Sequence, residues 1–575
     1  MKNMPDSIFF TREICVCAHL TQTRDALEKC AEMGINMKIQ IQKRKLAVSS
    51  ILSFILTFLQ IAGWQLSMNY GSSMHRSVLL QRIGVLKVWQ CLLWGILEWI
   101  LLDVFFYVTF TFLENRERVE IRAHKEGRFF WAVTFLLLFS IWMFFLWCCY
   151  PGYNNYDVEN QLVQVMYDTI PYSSHHPLLH TLFCGGLITL GYKIDDSSLS
   201  LGLFLVNTVQ IFILAGCMTC SLKYILKKTK RKGLFLFSFC FYAFCPVVVM
   251  FSMSPTKDVL CYAFLLMAFL QLNELYGILE EAGRAAFRKW FMPGVFLTLS
   301  CLMRKNVVYG VVVFGISSLL LFSRKRVKQL FLFAGVVVSC ILINKGLLLA
   351  LDAEPGEVDE ALCVPYQQIA RLYVEKGEDA FTEEEYQLLG RVVPPENLLC
   401  YDPVMADGIK ANFSQGLPVL LENKGEYLRF WLKKGMQYPG VYLSSLLYNT
   451  YQAWYPWTIT MDKTGVRYFD TTWNDENGAP GNPNLYEFYR EIRWGKYADW
   501  IGVRLLFSTG TMVWLVLVAW FYCIWKKEKP AILGFLLIIL VCSTNLLGPV
   551  SDVRYYLILF YLLPICLAVL SAGKS

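Results

Sequence analysis

The sequence predicts an all-α polytopic membrane protein of about 12 or 13 transmembrane helices, with a mixed extracytoplasmic domain placed before the last of them. Three observations lead there. Of 575 residues, 56% are hydrophobic and only 17% charged, with a mean hydropathy of +0.42, whereas a soluble chain carries roughly 25% charge. The apolar residues come in uninterrupted blocks of about 20, the length at which a helix crosses roughly 30 Å of hydrocarbon. The basic residues behind the net charge of +8 collect in short runs between those blocks, at 116–128, 223–232, 324–328 and 526–529, as the positive-inside rule expects of cytoplasmic loops. A soluble enzyme, a disordered chain and a small disulfide scaffold are excluded. Charge dispersed in this way is not a nucleic-acid footprint.

Residues 1–46 are expected to be a cytoplasmic N-terminal segment ending in the basic run KIQIQKRK. No signal-peptide pattern precedes the first apolar block, so 47–66 reads as an uncleaved anchor. Further blocks follow at 86–113, 129–149, 176–192, 199–222, 233–253, 258–279, 290–303, 306–322 and 329–351, and these complete a helix bundle over 47–351. A first outer loop at 150–176 interrupts it. Residues 501–575 carry the C-terminal spans at 501–525, 530–548 and 554–572. One conflict stands: if both 176–192 and 199–222 cross, the run KYILKKTKRK falls outside, so 176–192 either crosses or lies in the interface. Residues 352–500 are rich in Pro, Gly, Asn, Tyr and Trp, with a capping signal at Thr382 and Glu385. That stretch is too long and aromatic for a linker and is expected to fold as the extracytoplasmic domain. The 19 cysteines lie mostly in apolar blocks and read as packing residues. No solenoid repeat and no pair of similar halves is visible.

Four separated segments bring polar groups to the outer face. The first loop holds Asp157, Glu159 and Asp168, with His175 and His176 before Pro177. A carboxylate at a membrane surface can act as general base or hold a divalent cation such as Mg or Mn, with Asp157 the candidate ligand; solvated loop charges would look the same. SPTKDV places Lys257 and Asp258 at a helix start, where Lys257 can take a phosphate or Asp258 can simply cap. Arg304 and Lys305 break an apolar run of about 30 residues, which makes them a hairpin tip or an anion site. Near the C-terminus Asp552 and Arg554 precede Tyr555 and Tyr556; the tyrosines fit interfacial anchors, and the arginine can grip a phosphate bidentately. Cations beside carboxylates suit a reaction whose leaving group is a lipid phosphate.

At these residues the sequence resembles the type C (GT-C fold) integral membrane glycosyltransferases, which include the bacterial aminoarabinose and mannosyl transferases. It is most similar to an uncharacterised group of such proteins from Gram-positive bacteria. PGYNNYDVENQ, HHPLL, SPTKD, RKN, VPYQQIARLYVEKGEDAFTEEE, YDPVMADGIKANF and DVRY carry the resemblance, in order, over residues 150–560. It implies a GT-C-like bundle that transfers a sugar, with inversion, from a polyprenyl-phosphate donor to a cell-envelope acceptor: polysaccharide, teichoic acid, lipid or protein. Asp157 falls at the family's first-loop acidic position, His176–Pro177 at its His/Lys-Pro motif, and Arg554 at an outer basic position near the donor phosphate. Two departures stand out. Leu178 replaces a second proline, and the usual adjacent acidic pair is spread to Asp157 and Glu159, so either carboxylate is a catalytic candidate. The remaining substrate-binding candidates are His175, His176, Lys257, Asp258, Arg304, Lys305, Arg554 and Tyr555. The implied location is the cell membrane, N-terminus cytoplasmic and active face outside.

The rival reading is a transporter or flippase for an anionic lipid or polysaccharide. It would place polar groups near the midplane, where Glu98 and Asp103 stand as a buried pair or an ion pathway.

Overall fold

The computed structural model describes residues 24–69, 86–115, 126–153, 156–167, 169–195, 199–356, 358–457 and 500–572, with 461–462, 465–466, 487–488 and 491. Most of the expected 1–46 segment, residues 1–23, lies outside this set, as does Asp168. The chain is helical almost throughout: α1 Arg24–Asn69, α2 Val88–Asn115, α3 Arg128–Cys148, α4 Tyr156–Met166, α5 Leu178–Ile194, α6 Ser200–Thr229, α7 Lys232–Phe244, α8 Pro246–Ser252, α9 Lys257–Glu280, α10 Phe287–Met303, α11 Val307–Leu321 and α12 Arg326–Ala350. After the 358–457 region come α19 Ile501–Phe507, α20 Thr509–Lys526, α21 Lys529–Thr544 and α22 Leu557–Ser571, with a 3-10 turn at Val553–Tyr556 before the last.

Among the described residues nine helices are long and apolar enough to cross a membrane, and the pair α7 and α8, bent by 51°, makes a tenth. The all-α polytopic membrane fold therefore holds. Helices α10 and α11 are shorter, at 17 and 15 residues. Their shared tip at Arg304 pairs with Asp258, at the start of α9, and below them Arg324 donates to the carbonyls of Leu279 and Glu280 at its far end.

Charge sorts the two ends of the bundle. The basic runs meet at one end, where Lys45 pairs with Glu114, Arg44 donates to the Trp525 carbonyl at 2.8 Å, and Lys228 pairs with Glu528 at 3.0 Å. At the other end lie the first loop, the 252–257 turn, the α10–α11 tip and the turn before α22. Two of the helices that carry this second set are the best buried: 83% of the apolar window of α9 and 89% of that spanning Val553–Ser571 are inside the bundle, against 6% for α2. The site is thus mounted on the rigid centre and not on the rim.

Helix α5, the doubtful block, does not reach the basic end. It starts beside His176, and its last turn packs on the first turn of α6, where a Cβ on Gly191 would come within 2.3 Å of the Gly202 Cα. Helix α6 then makes the traverse to Lys228. This places both ends of α5 at the site end and removes the orientation conflict. Two facing glycines allow the close approach because neither carries a side chain.

The segment expected as a mixed extracytoplasmic domain is helical over 358–457: α13 Asp359–Lys376, α14 Glu383–Gly390, α15 Asp407–Ser414, α16 Leu417–Glu422, α17 Lys424–Gln437 and α18 Pro439–Trp454. A two-residue ladder pairs β1 Met461–Asp462 with β2 Gly465–Val466. Its core gathers Tyr366, Ile369, Leu389, Phe413 and Phe430. The Thr382–Glu385 capping box forms, with Thr382 N donating to Glu385 at 2.9 Å, and the same carboxylate receives the buried Lys434 at 2.5 Å. The domain is docked over the site end, where Ala406 N donates to the Pro549 carbonyl at 2.7 Å and Asn449 to that of Gly548 at 3.0 Å. Its last helix goes further than the sequence suggested. Below α18, Tyr455 packs directly on Gly63 of α1, so the 352–500 segment also contributes to the bundle.

Replacing Gly191 with Leu is expected to lower the stability of the detergent-solubilised protein by about 1–3 kcal/mol through overpacking, read as a drop in Tm. The same substitution at Gly186, where an added Cβ meets nothing within 4 Å, should be near neutral, and equal effects at the two positions would contradict this packing.

Candidate functional site

The four polar segments meet at one charged cluster. Asp157 sits in the first turn of α4, and its Oδ2 accepts from Lys257 Nζ at 2.6 Å and from Arg554 Nη1 at 3.2 Å. Lys257 is the first residue of α9. It also donates to His176 Nδ1 at 3.1 Å. Arg554 is held from its own turn by Asp552, whose carboxylate lies 3.6 Å from its Nε.

A second pair stands beside the first. Arg304 pairs with the fully buried Asp258, and its guanidinium lies 4.1 Å from the centroid of the Tyr555 ring, with that of Arg554 at 5.0 Å. Both guanidinium groups are thus within cation–π range of Tyr555, whose hydroxyl also accepts from Arg554 Nη2 at 3.2 Å. Asparagines fix this arrangement. Arg304 Nε donates to Asn306 at 2.9 Å, Asn306 to Asn545 at 2.8 Å, and Asn545 to the Tyr555 carbonyl at 2.6 Å, where Tyr262 also donates.

Electrostatics follow from the geometry. Burial works to raise the Asp157 carboxyl, but the Lys257 ammonium and the Arg554 guanidinium overcome it and hold Asp157 well below the usual carboxylate range. Burial, reinforced by Lys257, pushes His176 down to about 3. The ring is accordingly neutral, and because an ammonium can only donate, Nδ1 accepts and the ring proton sits on Nε2. That buried Nε2 finds no acceptor among the described residues. Burial, and then Lys257, also lowers Lys305, which stands at the rim and donates to the Ser174 carbonyl. Among the described residues the cluster sets Lys257, Arg304 and Arg554 against Asp157, Asp258 and Asp552, with Lys305 at its rim. Cations gathered beside a spare N–H donor are suited to an anionic oxygen.

Of the sequence candidates, Asp157, His176, Lys257, Asp258, Arg304, Arg554 and Tyr555 come together. His175 is exposed, its ring 4.8 Å from that of His176 between centroids and its backbone N–H donating to Ser173 at 3.2 Å. Glu159 is exposed; two residues along a helix is about 200° of rotation, so Asp157 and Glu159 cannot face one site, and Asp157 is the carboxylate in the cluster. Asn306, Asn545 and Tyr262 were missed, although Asn306 lies inside the RKN motif. A divalent cation does not fit these residues. Asp157 Oδ2 is occupied by an ammonium and a guanidinium, Asp258 by a guanidinium, and among the described residues no group of three His, Cys, Asp or Glu converges.

A family model described as a family of unknown function, DUF6020, matches residues 166–574. The chain belongs to the DUF6020 family. No curated protein and no solved structure matches it. The DUF6020 match takes in His176, Lys257, Asp258, Arg304, Arg554 and Tyr555 but starts after Asp157. In this DUF6020 protein the matched region therefore supplies the cations, and the α4 carboxylate they enclose precedes it.

The depressed His176 sets a pH signature. A histidine whose folded-state value lies below its unfolded 6.5 makes the unfolded chain bind more protons, so its contribution is intact above about 6.5 and is lost as pH falls towards about 3. Asp157, also depressed, loses its contribution only as pH falls below the ordinary carboxylate value of about 3.9. Tm measured between pH 7 and 4 should fall less steeply in His176→Gln than in the parent. Parallel slopes would contradict the buried neutral ring.

Proposed function

We propose that the protein is an inverting membrane glycosyltransferase that moves a sugar from a polyprenyl-phosphate donor to a cell-envelope acceptor, a polysaccharide, teichoic acid, lipid or protein. The observation that carries the reading is Asp157 held between Lys257 and Arg554 at the bundle end opposite the basic runs. The positive-inside rule gives those runs to the cytoplasm, which sets the N-terminus inside and the site on the outer face of the cell membrane.

In the reaction proposed, the donor phosphate draws Lys257 and Arg554 to itself, and the His176 Nε2–H and Arg304 are within the same cluster to complete its binding. Loss of its cations raises the basicity of Asp157, which then accepts the proton of the acceptor hydroxyl. That oxygen forms a bond to the anomeric carbon as the carbon–oxygen bond to phosphate breaks. The electron pair leaves with the phosphate, whose added charge the cations stabilise. A single displacement inverts the carbon. The base is thus latent until the donor arrives. Tyr555, Asp552, Asn306 and Asn545 act as positioning residues for the two guanidinium groups.

Transport of an anionic lipid or polysaccharide would use the same cations but needs polar groups near the midplane. Glu98 and Asp103 lie on α2, the rim helix, and not beside the cluster.

Transfer of labelled sugar from polyprenyl-phosphate donors by the reconstituted protein tests the assignment. Asp157→Asn should lose about 10²- to 10⁴-fold in rate, the usual worth of a general base, and Arg554→Ala should also be impaired, while Glu159→Gln stays near the parent. Full transfer by folded Asp157→Asn would overturn the proposal.

A further inference from the structure

A cavity lies away from the site, between α10 and α12. It has a volume of about 720 Å³, and its walls are two stripes of side chains: Phe287, Phe291, Gly294 and Thr298 on α10 and Leu332, Gly335 and Ser339 on α12. From Phe287 to Leu302 it follows α10 for about 22 Å at 1.5 Å per residue, more than one leaflet of a bilayer with a core of about 30 Å. Its Cβ-free positions keep it open. An added Cβ at Gly335 would meet nothing within 4 Å.

The groove ends at the basic end of the bundle, among exposed cations. Lys328 lines it directly, with its ammonium 5.9 Å from the Trp290 ring centroid. Lys325 caps the start of α12, and Arg284 and Arg288 are the sequence neighbours of the lining residues Ala285 and Phe287; all four cations are exposed. An apolar channel at membrane depth admits acyl chains, and basic residues grouped at its mouth hold an acidic headgroup at the interface. Trp290 belongs at that same boundary.

We propose that this groove binds an anionic glycerophospholipid of the leaflet at the basic end, acyl chain between α10 and α12 and phosphate among Lys328, Lys325, Arg284 and Arg288. The site is separate from the Asp157 cluster, with its headgroup at the opposite end of α10 from Arg304, and does not rest on the glycosyltransferase reading. Its occupant is a resident lipid that bridges two rim helices which pack on each other only in part.

The test uses the full-length protein in detergent, titrated with phosphatidylglycerol or phosphatidylcholine of matched chains and read by Tm and by lipid retained in native mass spectrometry. Phosphatidylglycerol should stabilise the protein and be retained, and phosphatidylcholine should not. Lys325→Gln combined with Lys328→Gln should weaken retention about fivefold for each cation removed. Gly335→Phe fills the groove with every cation in place and should abolish the preference while the lipid-free Tm stays at or above that of the parent. Equal effects of the two lipids, or a preference that survives Gly335→Phe, would overturn the proposal and leave only nonspecific attraction to a basic surface.

Discussion

The structure turns on compensation of one partly buried carboxylate by two cations from distant parts of the chain. Asp157 comes from the segment after α3, Lys257 from the start of α9 and Arg554 from the turn before α22. Charges at a membrane boundary are costly unless paired, so no one of these elements can be seated without the others. The pairing therefore closes the bundle across almost its whole sequence. It explains why the best-buried helices, α9 and α22, are the ones that bear the cations: the groups that must not move are mounted on the elements that cannot.

The same compensation gives the site its chemistry. A carboxylate matched by cations is a weak base, and cations matched by a carboxylate are a weak anion site, so neither function is expressed fully in the resting protein. On the proposed reading, a phosphate that enters the cluster exchanges partners with Asp157 and switches on both at once. Tyr555 and the Arg304–Asn306–Asn545 chain keep the positive groups at fixed spacing while this happens. Preorganisation of this kind spares reorganisation at the moment of reaction.

Much of this was legible in the sequence because polar residues are conspicuous against an apolar background. Lys257, Arg304 and Arg554 stand at helix ends in short charged breaks between long apolar runs, and their convergence on one end follows once the basic loops are set at the other. What was hidden depended on contacts between helices. The length of 176–192 permits a crossing, and only the Gly191–Gly202 approach shows that α5 stays at one end. The choice between Asp157 and Glu159 required knowing that 156–166 is helical, since a spacing of two shares a face in a strand and opposes it in a helix. Asn545 lies in a stretch with no motif signal, and its partner Asn306 is 239 residues away. Likewise α18 reads as part of an outer domain until Tyr455 is found against Gly63.

The central claim is that Asp157 and a lipid phosphate compete for Lys257 and Arg554. The most direct measurement is the equilibrium affinity of the purified protein for unglycosylated polyprenyl phosphate, before and after Asp157→Asn. If the account is right, removing the carboxylate charge frees both cations and the lipid phosphate binds more tightly to the variant than to the parent. Unchanged or weaker binding by the folded variant would contradict it.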